Sequence, residues 1–326
     1  MIVDSMKINL TYATYFIFLI TITVLLSLNF INGKFLSQTS YAVLENSTDG
    51  ISLLKRFEDL RRVCKNDTRN SLEFYDYNWK TEKSNNTFRI IALGDSFTQG
   101  VCININNTWP KQLEEKLNNA GSSYKFEVMN FGKGGANSKE EVDLFKKYVL
   151  DFNPDMLILQ YYYNDLEPTS KEINDKAREI FKKWESGEYK LPENMMEEIK
   201  KFNIDNDTVY MAILIGYINT FYTNSNLDDE WNKNVGSSLL ELFSICNDRN
   251  IKIFVITWDF NQGPNIQREK MKTFLKENKI NFYDFTSDIP FIPQPSMIRL
   301  PDGHLTPLGN EIVANKTVDI VLNFVK

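Results

Sequence analysis

The chain has 326 residues, 42% of them hydrophobic and 13% aromatic, which is enough for the core of one α/β domain with additional segments. A net charge of −6 without a basic stripe argues against a general nucleic-acid-binding protein. One histidine and three cysteines without a CxxC pair exclude a zinc site of the usual type, and we expect neither a metal nor a nucleotide cofactor.

The three cysteines, Cys64, Cys102 and Cys246, form no pattern that binds a metal. We interpret them as buried or free thiols. A disulfide between Cys64 and Cys102 is the alternative in an oxidising compartment, and the sequence leaves the choice open.

The first predicted element is a membrane anchor. No charged residue lies between Ile8 and Gly33, and about 20 apolar residues suffice to cross a bilayer as a helix. A cleaved signal peptide is the alternative, but the sequence after Leu28 lacks a small-x-small cleavage site. We therefore expect residues 1–34 to form a tail and a transmembrane helix. Because the folded mass follows this helix, we expect that mass on the extracytoplasmic side.

The segment 35–86 is predicted to be a stalk and lead-in, with a short helix over Ser52–Val63. The main domain is predicted to span residues 87–326. It opens with a buried strand at Ile90–Leu93 that breaks at Gly94-Asp95-Ser96.

A helix is predicted to begin at Trp109, with Thr108 as its cap and Pro110 in its first turn. The second strand, Phe126–Asn130, ends at three glycines, Gly132, Gly134 and Gly135. The next helix is predicted to open with a capping box formed by Ser138 and Glu141.

The third strand, Met156–Tyr161, leads to Asn164-Asp165. A helical insertion is then predicted at about residues 166–234, with helices at Lys171–Glu185, Glu193–Phe202 and Val209–Tyr222. Loops that follow strand C-termini surround the ligand-binding edge of a sheet, so the insertion is either a lid or substrate wall or a set of extra packing helices.

The remaining chain continues to alternate between helix and strand, which predicts a parallel sheet with helices on both faces. We therefore expect a three-layer α/β/α sandwich with a mostly parallel sheet of about five strands, of flavodoxin-like type. A proline-rich loop is predicted to deliver Asp302 and His304. The predicted elements are Ser238–Asn250 (helix), Ile251–Thr257 (strand), Asn265–Asn278 (helix), Ile280–Phe285 (strand) and Pro307–Phe324 (helix).

Ser96 is the candidate nucleophile, because α/β sheets place their chemistry at strand C-termini. A serine hydroxyl needs a base, and His304 is the one histidine available. Asp302 stands two residues before it and suits the orientation of the imidazole. Phosphoryl transfer is disfavoured, since the chain lacks a GxxxxGK[ST] loop and Phe97 stands where an aspartate nucleophile would need a second aspartate.

Four sequence blocks together resemble the SGNH (GDSL-type) hydrolases. They are Gly94-Asp95-Ser96, the block from Asn130 to Gly135, Tyr162-Tyr163-Asn164-Asp165 and Asp302-x-His304. The resemblance covers about Phe88 to the C-terminus and implies the SGNH fold.

The resemblance also implies roles for individual residues. The oxyanion hole would consist of the Ser96 N–H, the Gly135 N–H and the Asn164 side chain. Gly94, Asp95 and Asp165 would support the site, with Asp95 holding the serine turn. The chain departs from the family pattern at two places. Tyr162 replaces the usual glycine, which crowds the floor of the pocket, and Asp302 and His304 are two residues apart where many members have three.

The resemblance implies a serine esterase or acylhydrolase that cleaves an O-acyl ester through an acyl-enzyme. The ester would be carried by a small molecule, or by a glycan or lipid of the cell envelope or the extracellular space. An O-acyltransferase with the same triad and a non-catalytic binding or assembly protein on the same fold are the alternatives. The sequence leaves the oligomeric state open.

Overall fold

A computed structural model describes residues 69–191, 196–197, 199–200, 205–258, 266–288 and 303–325. Several predictions fall outside these residues: the anchor at 1–34, the helix Ser52–Val63, most of Glu193–Phe202, and Asp302. None of the helices in the described part of the chain combines the length and hydrophobicity that crossing a membrane requires.

The described strands form one five-stranded parallel sheet with the order β2-β1-β3-β4-β5. This confirms the predicted α/β fold and sheet. The central strands β1 and β3 are buried at every position, as expected for strands covered on both faces. The strands are β1 Thr87–Gly94, β2 Lys125–Gly132, β3 Met156–Tyr161, β4 Lys252–Thr257 and β5 Asn281–Asp284.

Alternate residues of β1 pack into two separate hydrophobic cores. Ile90 and Ala92 point to one face of the sheet, and Ile91 and Leu93 point to the other. Helices lie on both faces, which gives the predicted three layers. The helices that follow the strands are α1 Ser96–Gln99, α2 Trp109–Asn119, α3 Ser138–Tyr148, α4 Ser170–Glu185, α5 Asn206–Asn224, α6 Leu227–Trp231, α7 Ser237–Asp248, α8 Ile266–Glu277 and α9 Pro307–Val325.

The first face is covered by α2 and α9, which pack against each other. Leu113 and Leu117 of α2 and Val313 of α9 are buried there. The second face is covered by α3 and α7, with Phe145 and Leu242 among the buried side chains.

The helical insertion after β3 contains α4 and α5, which pack together and share a small core around Ala177, Val209 and Ile213. Both helices were predicted: α4 begins one residue before its predicted start, and α5 extends beyond both of its predicted ends. A π-helical turn at Asn232–Gly236 then leads into α7.

The predicted capping box at Ser138 and Glu141 is wrong by one residue. Asn137 is the N-cap: its side chain accepts from the Glu140 N–H at 2.9 Å, and the Glu140 carboxylate accepts from the Asn137 N–H at 3.4 Å. Because the helix therefore starts with Ser138 as its first residue, Glu141 points into the core.

Thr108 occupies the N-cap position of α2 but does not cap the helix through its side chain. Its hydroxyl donates to the Ile105 carbonyl at 2.8 Å. The backbone N–H of Trp109, which has no acceptor within the helix, donates to Asn310 Oδ1 at 2.9 Å. A side chain from α9 thus satisfies the N-terminus of α2.

The described part of the predicted stalk packs on the sheet, so the folded domain begins before residue 87. Phe74 is buried, and its ring centroid lies 4.7 Å from that of Phe131 in β2. Asp76 accepts from the Asn130 N–H at 2.9 Å and pairs with Lys111 at 3.0 Å. The apolar and aromatic character of residues 72–79 explains why this segment joins the core.

Of the two described cysteines, Cys246 fits the interpretation as a buried thiol and Cys102 fits the alternative of a disulfide. Cys102 is disulfide-bonded, whereas Cys246 is a free thiol buried in the core. Burial raises the pKa of Cys246 to about 12, so this thiol is unreactive. Cys64 lies outside the described residues.

Candidate active site

Ser96 is the first residue of α1, directly after the C-terminal end of β1, and is half-buried. Asp95 is the N-cap of this helix and accepts from the Phe97 N–H at 2.9 Å. A Cβ at Gly94 would overlap the Thr98 side chain, so the tight turn that presents Ser96 requires glycine there.

His304 Nε2 lies 2.8 Å from Ser96 Oγ, although 208 positions separate the two residues. The chain after His304 is fixed by Asn310, whose side-chain N–H group donates to the carbonyls of Leu305 and Thr306 at 3.2 and 3.0 Å. An imidazole nitrogen at this distance from a hydroxyl is placed to take its proton. The third predicted member of the group, Asp302, is not among the described residues.

The glycine loop after β2 lies beside Ser96. Its start is fixed by the Lys133 N–H, which donates to the Gly94 carbonyl at 3.0 Å. A Cβ built on Gly134 would lie 3.8 Å from Ser96 Cβ. Gly135 has φ +71°, in the left-handed region that favours glycine, and the space around its Cβ position is open.

Asn164 lies in the 3₁₀ turn Tyr163–Leu166, directly beyond β3. Its side-chain Nδ2 donates to Asp95 Oδ2 at 3.1 Å. A carboxamide has two N–H groups, so one bond to Asp95 leaves a second donor for a ligand. Asp165, which is fully buried, accepts from the Tyr162 N–H at 3.2 Å and so fixes the start of the same turn.

Burial raises the pKa of Asp95 above its ordinary value, against the opposing effects of the Phe97 N–H, the Asn164 side chain and His304. Asp95 is therefore a buried carboxyl whose charged form is stabilised by groups of the site itself. Among the described residues, no group of three or more histidine, cysteine or carboxylate side chains is placed to hold a metal ion.

Comparison with models of protein families matches residues 90–317, more than half of the chain, to GDSL-like Lipase/Acylhydrolase. The chain belongs to this family. It is accordingly an ester-cleaving hydrolase. Comparison with curated proteins gives no significant match.

Solved structures similar to this GDSL-family chain share little sequence with it. One is a lipase/acylhydrolase from Enterococcus faecalis, with 13% identity, coverage of 72% of this chain and 95% of the other, and a TM-score of 0.45. Another is an acetyl xylan esterase, with 17% identity, coverage of 72% and 100%, and a TM-score of 0.45. A third is a lipolytic protein of the G-D-S-L family from Veillonella parvula, with 13% identity, coverage of 72% and 98%, and a TM-score of 0.42.

Tyr162, which replaces a glycine of the family pattern, places a half-buried ring beside the site. Its centroid lies 4.7 Å from the ring of Phe97, and Phe97 in turn lies 5.0 Å from the ring of His304. Tyr163 continues this row at 4.5 Å from Tyr162. The aromatic side chains thus form a continuous wall that begins at the histidine.

The helical insertion of this GDSL hydrolase is bonded to the loops of the site. Tyr222 of α5 donates its hydroxyl to the Glu167 carboxylate at 2.6 Å. The Glu167 carbonyl accepts from the Asn137 side chain at 2.7 Å. Asn137 follows the glycine loop, and Glu167 follows the turn that carries Asn164, so the insertion contacts both.

Sequence reasoning missed a further buried carboxyl beside Asp95 and Asp165, that of Glu141, by treating it as a capping residue. Burial raises its pKa well above the ordinary value, and the charge of Asp95 adds to the effect. Burial likewise raises the pKa of Asp165, and the charge of Glu141 adds to it. The available signal was helical spacing: Glu141 shares the face of α3 that carries Val142 and Phe145.

Proposed function

We propose that this GDSL-family hydrolase is a serine esterase in which Ser96 attacks the ester carbonyl and His304 acts as the base. The observation that carries the proposal is the 2.8 Å contact between Ser96 Oγ and His304 Nε2. Asp302 takes the role of the residue that orients His304 and stabilises its charged form. This role rests on the sequence.

In the first half of the reaction, Ser96 Oγ forms a bond to the carbonyl carbon while its proton moves to His304. The negative charge that develops on the carbonyl oxygen is met by the N–H groups of Ser96 and Gly135 and by the Asn164 side chain. The C–O bond to the alcohol then breaks, and His304 returns the proton to the departing alcohol. The product is an ester of the acyl group with Ser96.

In the second half, a water molecule takes the place of the alcohol. His304 removes a proton from this water as its oxygen bonds to the acyl carbon. The bond between that carbon and Ser96 Oγ then breaks, and His304 gives the proton to Ser96 Oγ, which releases the carboxylic acid and restores free Ser96. Asp95 does not exchange a proton in either half. It holds the turn through the Phe97 N–H and fixes the carboxamide of Asn164 through a 3.1 Å hydrogen bond.

As substrate we propose an O-acyl ester on a small molecule, glycan or lipid outside the cytoplasm, with the enzyme held at the membrane by residues 1–34. The uncharged run from Ile8 to Gly33 supports the anchor. A disulfide at Cys102 supports an oxidising compartment. Membrane fractionation tests the anchor, and protease treatment of intact cells tests the location outside the cytoplasm. Recovery of the full-length chain in the soluble fraction would contradict the anchor.

The test of the chemistry uses the full-length chain in detergent. Wild type, Ser96→Ala and His304→Ala are treated with a fluorophosphonate serine probe and assayed with 4-nitrophenyl acetate and butyrate. Labelling and turnover are expected in wild type and should be lost in both variants. Ser123→Ala, which changes an exposed serine just before β2, is the control and should behave as wild type.

A folded wild-type chain that neither reacts with the probe nor hydrolyses either ester would contradict the proposal. Labelling that survives in Ser96→Ala would identify a different nucleophile.

A further inference from the structure

The helix that carries the nucleophile also holds the glycine loop. Gln99 is the last residue of α1, and Ser96 is the first. A Cβ on Gly132 would overlap the backbone nitrogen of Gln99, so the two backbones are in direct contact. The Gln99 carbonyl accepts from Asn130 Nδ2 at 3.4 Å.

The third contact comes from the Gln99 side chain. Its Oε1 accepts from the Gly134 N–H at 2.6 Å. A Cβ on Gly134 would come within 2.9 Å of this oxygen and 3.8 Å of Ser96 Cβ. The side chain therefore bonds the loop at the point where it passes the nucleophile.

This bond decides which loop N–H group remains available. The Gly134 N–H is occupied by Gln99, and the next one along the chain belongs to Gly135, at φ +71°. The peptide between Gly134 and Gly135 is thus fixed on one side by a residue of the nucleophile's own helix. A donor held in place before the reaction is effective because it need not reorganise as charge develops.

We propose that Gln99 is a positioning residue for the esterase reaction. It sets the distance between Ser96 Oγ and the Gly135 N–H, so that this N–H meets the oxyanion formed when Ser96 attacks. The inference rests on the proposed function. It adds a residue that neither the four family blocks nor the contact between Ser96 and His304 includes.

The first test is Gln99→Met, which keeps the length of the side chain and removes its acceptor. We expect kcat for 4-nitrophenyl acetate to fall about 10- to 100-fold with KM within about twofold, because misplacement of one oxyanion donor affects the transition state more than the bound ester. Affinity for a boronic acid that forms a tetrahedral adduct with Ser96 should fall in parallel. A merely structural role would not produce this separation of kcat from KM.

The second test is Gly134→Ala, alone and combined with Gln99→Met. The added methyl group displaces Gln99 Oε1, so both single variants break the same contact. The double variant should then be about as active as the weaker single variant, since substitutions that share one interaction are not additive. If the decrease in kcat of the double variant equals the product of the two single decreases, the two substitutions do not share one contact and the assignment is wrong.

Asn118→Leu is the matched control. The Asn118 side chain also bridges a helix to β2, accepting from the Phe126 N–H at 3.0 Å, but at the opposite end of the strand. This variant should lower Tm and leave kcat unchanged. If wild type is active and Gln99→Met has the same kcat, the role of Gln99 is wrong and the proposed function still stands. A folded wild type without labelling or turnover would overturn the proposed function and this inference with it.

Discussion

At the scale of single residues, the site depends on a few side chains that each bond to more than one group. Asn164 donates to Asp95, and its second N–H group is free for a ligand. Asp95 accepts from both Asn164 and the Phe97 N–H. The Asn164 carboxamide, our proposed oxyanion donor, and the turn that presents Ser96 are therefore fixed by the same buried carboxyl.

Asn164→Ala is expected to lower kcat by about 10²–10³, the usual effect of removing one oxyanion donor, with little change in KM. Steady-state kinetics with 4-nitrophenyl acetate measure both constants. Asn278→Ala removes a carboxamide that donates to the Phe274 carbonyl at the far edge of the sheet and should leave both constants unchanged. A rise in KM at constant kcat would instead place Asn164 in substrate binding.

Glu141 gives a prediction about pH. Its pKa is raised well above the ordinary 4.5, chiefly by burial, so the folded state keeps a proton that the unfolded chain has already lost above about pH 4.5. The stability that this proton contributes is complete at lower pH and is lost as the pH rises through the raised pKa. Glu141→Gln keeps the shape and does not titrate, so its Tm should fall less than that of wild type between about pH 5 and about pH 8.

Thermal unfolding across this range measures the difference. Glu277→Gln, at an exposed position of α8, should follow the wild-type pH dependence. Parallel curves for wild type and Glu141→Gln would show that Glu141 ionises in the folded state as it does in the unfolded chain.

At the scale of elements, the insertion helix α5 is connected to the loops of the candidate site through the Glu167 carboxyl. Glu167 lies just beyond the turn that carries Asn164, and Tyr222 of α5 donates to it at 2.6 Å. Burial raises the pKa of Glu167 to about 7, while the Tyr222 hydroxyl opposes the shift by stabilising the charged form. The Glu167 carboxyl that accepts from Tyr222 therefore gains or loses its charge near neutral pH.

Tyr222→Phe removes the hydroxyl that stabilises the charged form, so the pKa of Glu167 should rise above about 7 in this variant. A carbon-13 NMR titration of labelled glutamate carboxyl groups measures the pKa, with Glu167→Gln to assign the signal. Tyr210→Phe is the matched control on the same helix, because its hydroxyl bonds to Asn174 instead, at 2.8 Å. An unchanged titration in Tyr222→Phe would contradict the contact.

At the scale of the whole molecule, the segment before β1 is part of the folded domain. Asp76 is buried and pairs with Lys111 of α2 at 3.0 Å, and it also accepts from the Asn130 N–H of β2 and from Trp79 Nε1 at 2.9 Å each. One carboxylate thus joins the N-terminal segment, a helix and a strand that leads to the glycine loop.

Asp76→Ala is expected to lower the free energy of unfolding by about 3–5 kcal/mol, because it removes the closer of the two carboxylates that pair with the largely buried Lys111 ammonium. It also takes away the acceptor of the Asn130 and Trp79 N–H groups. Chemical denaturation measures the loss. Asp175→Ala breaks an exposed ion pair with Lys171 and should leave the unfolding midpoint nearly unchanged. Equal midpoints for the two variants would show that Asp76 does not stabilise the domain.

The sequence predicted the elements well, because strands and helices follow from local hydrophobic periodicity. Errors arose where a residue's environment depends on distant parts of the chain. Glu141 was predicted to complete a capping box with Ser138, but Asn137 and Glu140 form that box. Residues 70–79 were predicted to belong to a stalk, but they pack on β2. For Cys102 the sequence left the choice between a free thiol and a disulfide open, and the structure shows it disulfide-bonded.

The amino-acid sequence by itself determined the parallel α/β sheet and the position of Ser96 at the end of its first strand, and it predicted His304, the one histidine of the chain, as the base of Ser96. Each follows from residue type and order along the chain. Only the tertiary structure showed that Ser96 and His304, 208 positions apart, lie 2.8 Å from each other. It also showed that Gln99 bonds to the glycine loop and that Glu141 is buried beside Asp95 and Asp165. These depend on how packed elements place distant side chains, which local patterns do not encode.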